Sequence, residues 1–283
     1  MPSKRAGLEA EISGRSKVKR KYRTEAAIWS GIPILLVAIL MGGCQERKKA
    51  MWEVVKGDFR HFHTDLLQDC NDLVHDPVNL GVLAVGGAAS GYVRCAHDDE
   101  IDDHFEINGH YANDRTFSRD FSIAVGAVPL TELSLMGVGY LGGLMGENDE
   151  LRQVSHDLIE AQALNTILTN LLKVAAQDQG PNSERFAWPS GHTSTAVTFA
   201  AVLQEHYGWW AGVPLYALSG FVMYERMETG EHWASDVIFG AALGYTVGRT
   251  VAKGHKPEIF GMEVVPFIDP QMQVAGLSLT KRF

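Results

Sequence analysis

The chain lacks a positive surplus. It carries 25 Lys and Arg against 34 Asp and Glu, a net charge of −9, which removes nucleic acid from the expected partners. It also lacks the pervasive apolarity of a polytopic membrane protein: the mean hydropathy of −0.06 leaves room for only a few spans. There is no internal repeat. Three cysteines in 283 residues allow one disulfide at most. What remains is an ordinary globular composition, 46% apolar and 21% charged, on a length that suits one large domain or two small ones.

The charge is unevenly spread. Residues 1–43 hold eight Lys and Arg and three Asp and Glu, a net of +5, so the remainder carries −14. Residues 26–45 are uncharged, with a strongly apolar run from Ile32 to Leu40 followed by Met41-Gly42-Gly43-Cys44. A basic start, an apolar stretch and small residues before a cysteine resemble a bacterial lipoprotein signal. Cleavage there would leave Cys44 lipidated; the competing reading of 1–43 is an uncleaved membrane anchor. Either way the body is expected to be exported to the bacterial cell envelope, tethered to a membrane and facing the periplasm. Cys70 and Cys95 then form an even pair, either a disulfide in an oxidising compartment or two buried thiols.

Residues 44–76 are polar with apolar punctuation and read as one or two amphipathic helices. Asp76-Pro77 looks like a cap and first turn. The helix it opens runs through Gly86-Gly87-Ala88-Ala89-Ser90-Gly91, small enough to let a neighbouring helix approach closely. The acidic stretch 96–120, with Asp98, Asp99, Glu100, Asp102 and Asp103, reads as a solvated loop or helix start. It lacks the spacing of a calcium loop. Residues 121–146, uncharged except for Glu132, are either a bilayer span or a core helix kinked near Pro129. Helices are expected over 150–176, 193–206, 212–227 and 233–253. The tail, 256–283, reads as a β-hairpin around Asp269-Pro270.

Three motifs carry chemistry. Lys173 is followed, after six intervening residues, by Gly180-Pro181. Pro189-Ser190-Gly191-His192 sits at a loop-to-helix junction. Glu225-Arg226 precedes His232 by five intervening residues, and Asp236 follows after three more. In order and spacing these resemble the type 2 phosphatidic acid phosphatase superfamily, which includes bacterial acid phosphatases, lipid phosphatases and vanadium haloperoxidases. Its pattern is Lys-x6-Arg-Pro, Pro-Ser-Gly-His and Ser-Arg-x5-His-x3-Asp. The resemblance implies a mainly α helical bundle of the acid phosphatase/vanadium haloperoxidase type over 77–255, preceded by the segment 44–76 and followed by the short hairpin.

The resemblance also implies roles. His232 is the nucleophile that forms a phosphohistidine, Asp236 orients it, and His192 is the acid and then the base. Lys173, Ser190, Gly191 and Arg226 hold the phosphate. A phosphoryl group in transfer spreads negative charge over three oxygens, which suits cations and a helix N-terminus. No metal and no cofactor is required; vanadate enters only under the haloperoxidase reading. Two positions depart from the pattern. Gly180 replaces a phosphate-binding arginine, and Glu225 replaces a serine outside the expected ligands. Arg185 in the same loop either supplies the missing guanidinium or is a surface residue. The implied function is a phosphatase acting on lipid or small-molecule phosphates. The alternatives are a vanadate-dependent haloperoxidase and a catalytically weakened phosphate-binding protein.

Overall fold

The computed structural model describes residues 45–105 and 129–254, with the backbone of three strands between 258 and 280. The described body is mainly helical. Its helices are α1 (Gln45–Asp58), α2 (Phe62–His75), α3 (Pro77–Ala96), α4 (Asp98–Phe105), α5 (Pro129–Gly146), α6 (Asp149–Ala176), α7 (Gly191–Tyr207), α8 (Trp209–Glu228) and α9 (Ala234–Gly254). The strands β1 (Glu258–Ile259), β2 (Met262–Asp269) and β3 (Val274–Thr280) pair antiparallel in that order, with Val265 opposite Ser278. Their side chains lie outside the described residues. The expected leader over 1–43 and Cys44 lie outside them too.

Sequence cues set the helix ends. Asp76 accepts the Val78 amide at 2.7 Å with Pro77 in the first turn of α3, as its sequence predicts. Asn148 caps α6 through the Leu151 amide. Gln177 closes α6 in a left-handed conformation, φ 50°. Pro129 opens α5 rather than kinking it. From there α5 packs along α6 with Met136 and Tyr140 buried. No described helix is long and apolar enough to cross a membrane.

The centre of the bundle is the pair α7 and α9, with α6, α8 and α3 around it. Ala161, Val202, Val247, Val251 and Ala252 form its dry core. Gly240, Gly244 and Gly248 recur every four residues on one face of α9. A Cβ on these would lie 2.7, 2.3 and 2.6 Å from the carbonyl oxygens of Ser190, Ser194 and Thr198, which recur at the same interval on α7. The two backbones therefore touch where side chains would ordinarily separate them. The small-residue stretch of α3 acts similarly: a Cβ on Gly86 would stand 2.4 Å from that of Ala242 on α9.

Two expectations are corrected. Cys70 and Cys95 are free thiols, Cys70 beside the core and Cys95 exposed. Along the helices the turn at Asp76 lies about 9 Å from Cys70 and about 28 Å from Cys95, so their Cα atoms are at least about 19 Å apart. A disulfide needs them within about 7 Å. The acidic segment is not wholly solvated either. Asp98 is buried and accepts both the amide (3.0 Å) and the hydroxyl (2.5 Å) of Ser235 at the start of α9.

Candidate active site

The site gathers where α7 and α9 begin. Ser190 is the N-cap of α7, its hydroxyl accepting the Thr193 amide at 3.5 Å. Its own amide donates to the Asp236 carbonyl at 3.1 Å, tying the two helix starts together. Ser190 is fully buried, so its hydroxyl stands behind the cavity wall, while Gly191 and His192 line the cavity itself. That cavity measures about 330 Å³ and is shared by Lys173, Arg185 and His232.

His232 is buried and its Nδ1 lies 3.3 Å from Asp236 Oδ2. The same oxygen accepts the Trp233 amide at 3.1 Å, so one carboxylate oxygen holds both the ring and the chain that carries it. A carboxylate facing Nδ1 selects the tautomer protonated there and leaves Nε2 with a lone pair. Lys173 Nζ donates to the carbonyls of Phe186 (2.5 Å) and Ala187 (3.0 Å), fixing the wall of the cavity. Burial pulls its ammonium below the usual lysine range, and the nearby Asp236 charge only partly opposes that pull.

Arg226 is nearly fully buried and heavily engaged. Glu225 takes its Nε and Nη2 at 2.5 and 2.7 Å, and Glu231 takes Nη1 at 2.5 Å. The same Nη1 lies 3.4 Å from His192 Nδ1. A guanidinium can only donate, so Nδ1 accepts and Nε2 carries the proton. Glu225, which the superfamily pattern puts outside the ligand set, pairs with the arginine beside it.

The loop between α6 and α7 explains the departure at Gly180. Its amide bonds to the Glu184 carbonyl, and Gln179 bridges to Arg185. A Cβ at 180 would meet the Glu231 carbonyl oxygen at 2.9 Å. The loop is too close to the α8–α9 connection for an arginine at this position. Arg185 lines the cavity, exposed, with Glu184 and Phe186 beside it.

Sequence reasoning missed Asn165 and Thr169, which line the cavity below Lys173. Asn165 donates to Ser194 Oγ at 3.2 Å, and Thr169 lies 3.3 Å from the same hydroxyl. Their spacing was the available cue: 165, 169 and 173 share one face of α6. It also missed Glu231, although that residue adjoins His232 in the chain.

Comparison with known proteins agrees with this geometry. Residues 157–259 match the model of the PAP2 superfamily. A lipid A 1-phosphatase of Porphyromonas gingivalis is 34% identical over 132 residues, which cover 43% of this chain and 28% of that protein. The chain thus spans well under half the length of the curated relative it matches. The solved transmembrane PAP2 type phosphatidylglycerolphosphate phosphatase of Bacillus subtilis shares the fold, with a TM-score of 0.50 at 17% identity, covering 62% of this chain and 93% of that one. The Aquifex aeolicus LpxE structure gives a TM-score of 0.45 at 22% identity over 56% of this chain and 96% of its own. The segment holding Lys173, His192, His232 and Asp236 is thus the part of the chain that is similar to the PAP2 superfamily.

Proposed function

We propose that the protein is a phosphatase that transfers a phosphoryl group to His232 and then to water. The observation carrying this reading is the His232–Asp236 pair, whose free Nε2 belongs to a ring lining the same cavity as Lys173, Gly191 and His192. In the first step the Nε2 lone pair attacks phosphorus. The bond to the ester oxygen breaks, and His192 gives that oxygen a proton so that it leaves as an alcohol. In the second step water attacks phosphorus and His192 takes its proton. The P–N bond then breaks, releasing inorganic phosphate and returning His232 to its starting form. Lys173 and the amide end of α7 offset the charge on the equatorial oxygens. His192 must hold two protons to act as the acid, so its contact with Arg226 opens in that state.

A lipid phosphate suits the cavity's surroundings. Ile167, Leu171 and Val174 are exposed on α6, the helix that supplies Asn165, Thr169, Asn170 and Lys173 to the cavity, and Phe186 is exposed on its wall. An acyl chain would cover this apolar ridge while its phosphate entered the cavity. The name of the P. gingivalis relative supports the same substrate class. A membrane tether at Cys44, or through an uncleaved N-terminal helix, would hold the protein at such a surface in the cell envelope.

A second reading is a phosphate-binding protein of low turnover. It is favoured by Arg226 being neutralised by two glutamates and by Gly180 standing where the family has a cation. The test is hydrolysis of p-nitrophenyl phosphate and of phosphatidate in mixed micelles. Turnover that falls by about 10⁴-fold or more in H232A supports the phosphatase. Turnover that survives H232A defeats it. Phosphate binding without turnover supports the second reading, and bromide oxidation with added vanadate would point to a haloperoxidase.

A further inference from the structure

We infer that Arg94, far upstream of the matched family segment, is a positioning residue that serves as the permanent counter-ion of Asp236. The inference rests on the phosphatase reading for its kinetic consequences but not for its electrostatic one.

Asp236 is completely buried. Its Oδ2 is satisfied by His232 and the Trp233 amide, whereas its Oδ1 accepts no hydrogen bond among the described residues. A carboxylate in this position stays ionised only if a charge balances it. The charged groups around the pair can be taken in turn. The Lys173 ammonium feels the Asp236 charge but donates its hydrogen bonds to two carbonyls rather than to the carboxylate. Arg226 is claimed by Glu225 and Glu231. His192 faces Arg226, which disfavours its charged form. Asp178 and Glu231 carry the wrong sign. Arg94 remains: its Nη1 lies 3.6 Å from Asp236 Oδ1, and its Nη2 donates to Asp178 Oδ1 at 2.6 Å.

The fold holds this arginine in place. On one side of it, Ser90 donates to the Ser235 carbonyl at 2.8 Å; on the other, Asp98 caps Ser235. Lower down, Asn79 donates to Thr250 at 2.7 Å, and Gly86 brings α3 against Ala242. The end of α3 is thus clasped to the first turn of α9, with Arg94 across from Asp236. Without Arg94 the buried Asp236 charge would be left to the His232 ring alone, so the inference is tested on that ring.

The experiment titrates the His232 ring by NMR, assigned by its loss in H232A, in wild type, R94Q and R94K. The pH dependence of kcat/KM for p-nitrophenyl phosphate is followed alongside. R94Q is expected to raise the pH at which the ring titrates by about one unit. The acid limb of kcat/KM should move up with it, and kcat should fall about tenfold or more while KM stays within about threefold. R94K should return most of the shift, because charge rather than the fork to Asp178 is what matters. A wild-type titration in R94Q overturns the inference, as does an R94K titration shifted as far as that of R94Q. If R94Q loses its fold, R94K alone decides: a ring titrating as in wild type supports the assignment, and a shifted one overturns it. Absence of turnover in the wild type would defeat the phosphatase reading, and the ring titration would still decide the role of Arg94.

Discussion

The site has two walls, and they are built differently. One comes from the starts of α7 and α9, where backbone lies on backbone and the Ser190 amide reaches the Asp236 carbonyl. It carries His192, His232 and Asp236 on two helix starts whose backbones touch. The other comes from the α6–α7 loop and the end of α8. There Arg226 is neutralised by Glu225 and Glu231, Gly180 has no side chain, and Arg185 is exposed. The first wall keeps the proposed reacting groups in register. The second carries less unpaired charge than the superfamily pattern it resembles.

The largest effect should come from breaking the rigid wall. G244V places a side chain where even a Cβ would sit 2.3 Å from the Ser194 carbonyl oxygen. Overpacking of this kind costs about 3 kcal/mol or more. Urea denaturation should register that loss, and turnover should fall with it. The softer wall should respond by degrees. R185A should lower kcat/KM for p-nitrophenyl phosphate about tenfold, the worth of one exposed charge-assisted contact. G180R should fail to compensate for it because the loop has no room. Recovery of activity in the R185A/G180R double variant would show that the wall is more yielding than described.

A smaller change is expected from E231Q. Glu231 holds Arg226 Nη1, so on the proposed reading removing its charge should tighten inorganic phosphate binding about threefold at neutral pH by calorimetry. Weaker binding would mean that Glu231 orients the guanidinium instead. The smallest effect lies outside the site. Burial alone would lower the pKa of His156, but its hydrogen bond to Asp157 and the charges of Glu160 and Asp157 outweigh burial and raise it. The stability that its charge contributes is therefore complete below the unfolded value, about 6.5, and is lost as pH rises through the higher folded value. The Tm of wild type should fall relative to that of H156Q across that window. Parallel curves would remove His156 from the account.

The chain's own pattern revealed most of the described helices and the order of the motif residues. Periodic leucines mark α6, Asp76-Pro77 marks the start of α3, and Lys173, Gly191, His192 and His232 from the three motifs meet in a single cavity. What escaped were properties of packing. Asp98 reads as solvated until Ser235 is seen folded against it. Ser190 reads as a phosphate donor until its burial turns the hydroxyl into a cap. Glu225 looked neutral to function because the sequence does not say which neighbour a glutamate will grip. Cys70 and Cys95 paired by count and were separated by helix length. Arg94 carried no motif at all; only the meeting of α3 with α9 brings it to Asp236.

The glycine seam between α7 and α9 has a consequence for time rather than for shape. Amides along Gly240 to Gly248 and Ser194 to Thr198 cannot meet solvent unless the two helices part. His192 and Asp236 sit one turn from that seam. The reacting groups are therefore joined to the slowest-opening part of the molecule, and their alignment lasts as long as the bundle stays closed. The exposed loop carrying Arg185 lies outside that seam, so an opening there would leave the proposed catalytic pair in place.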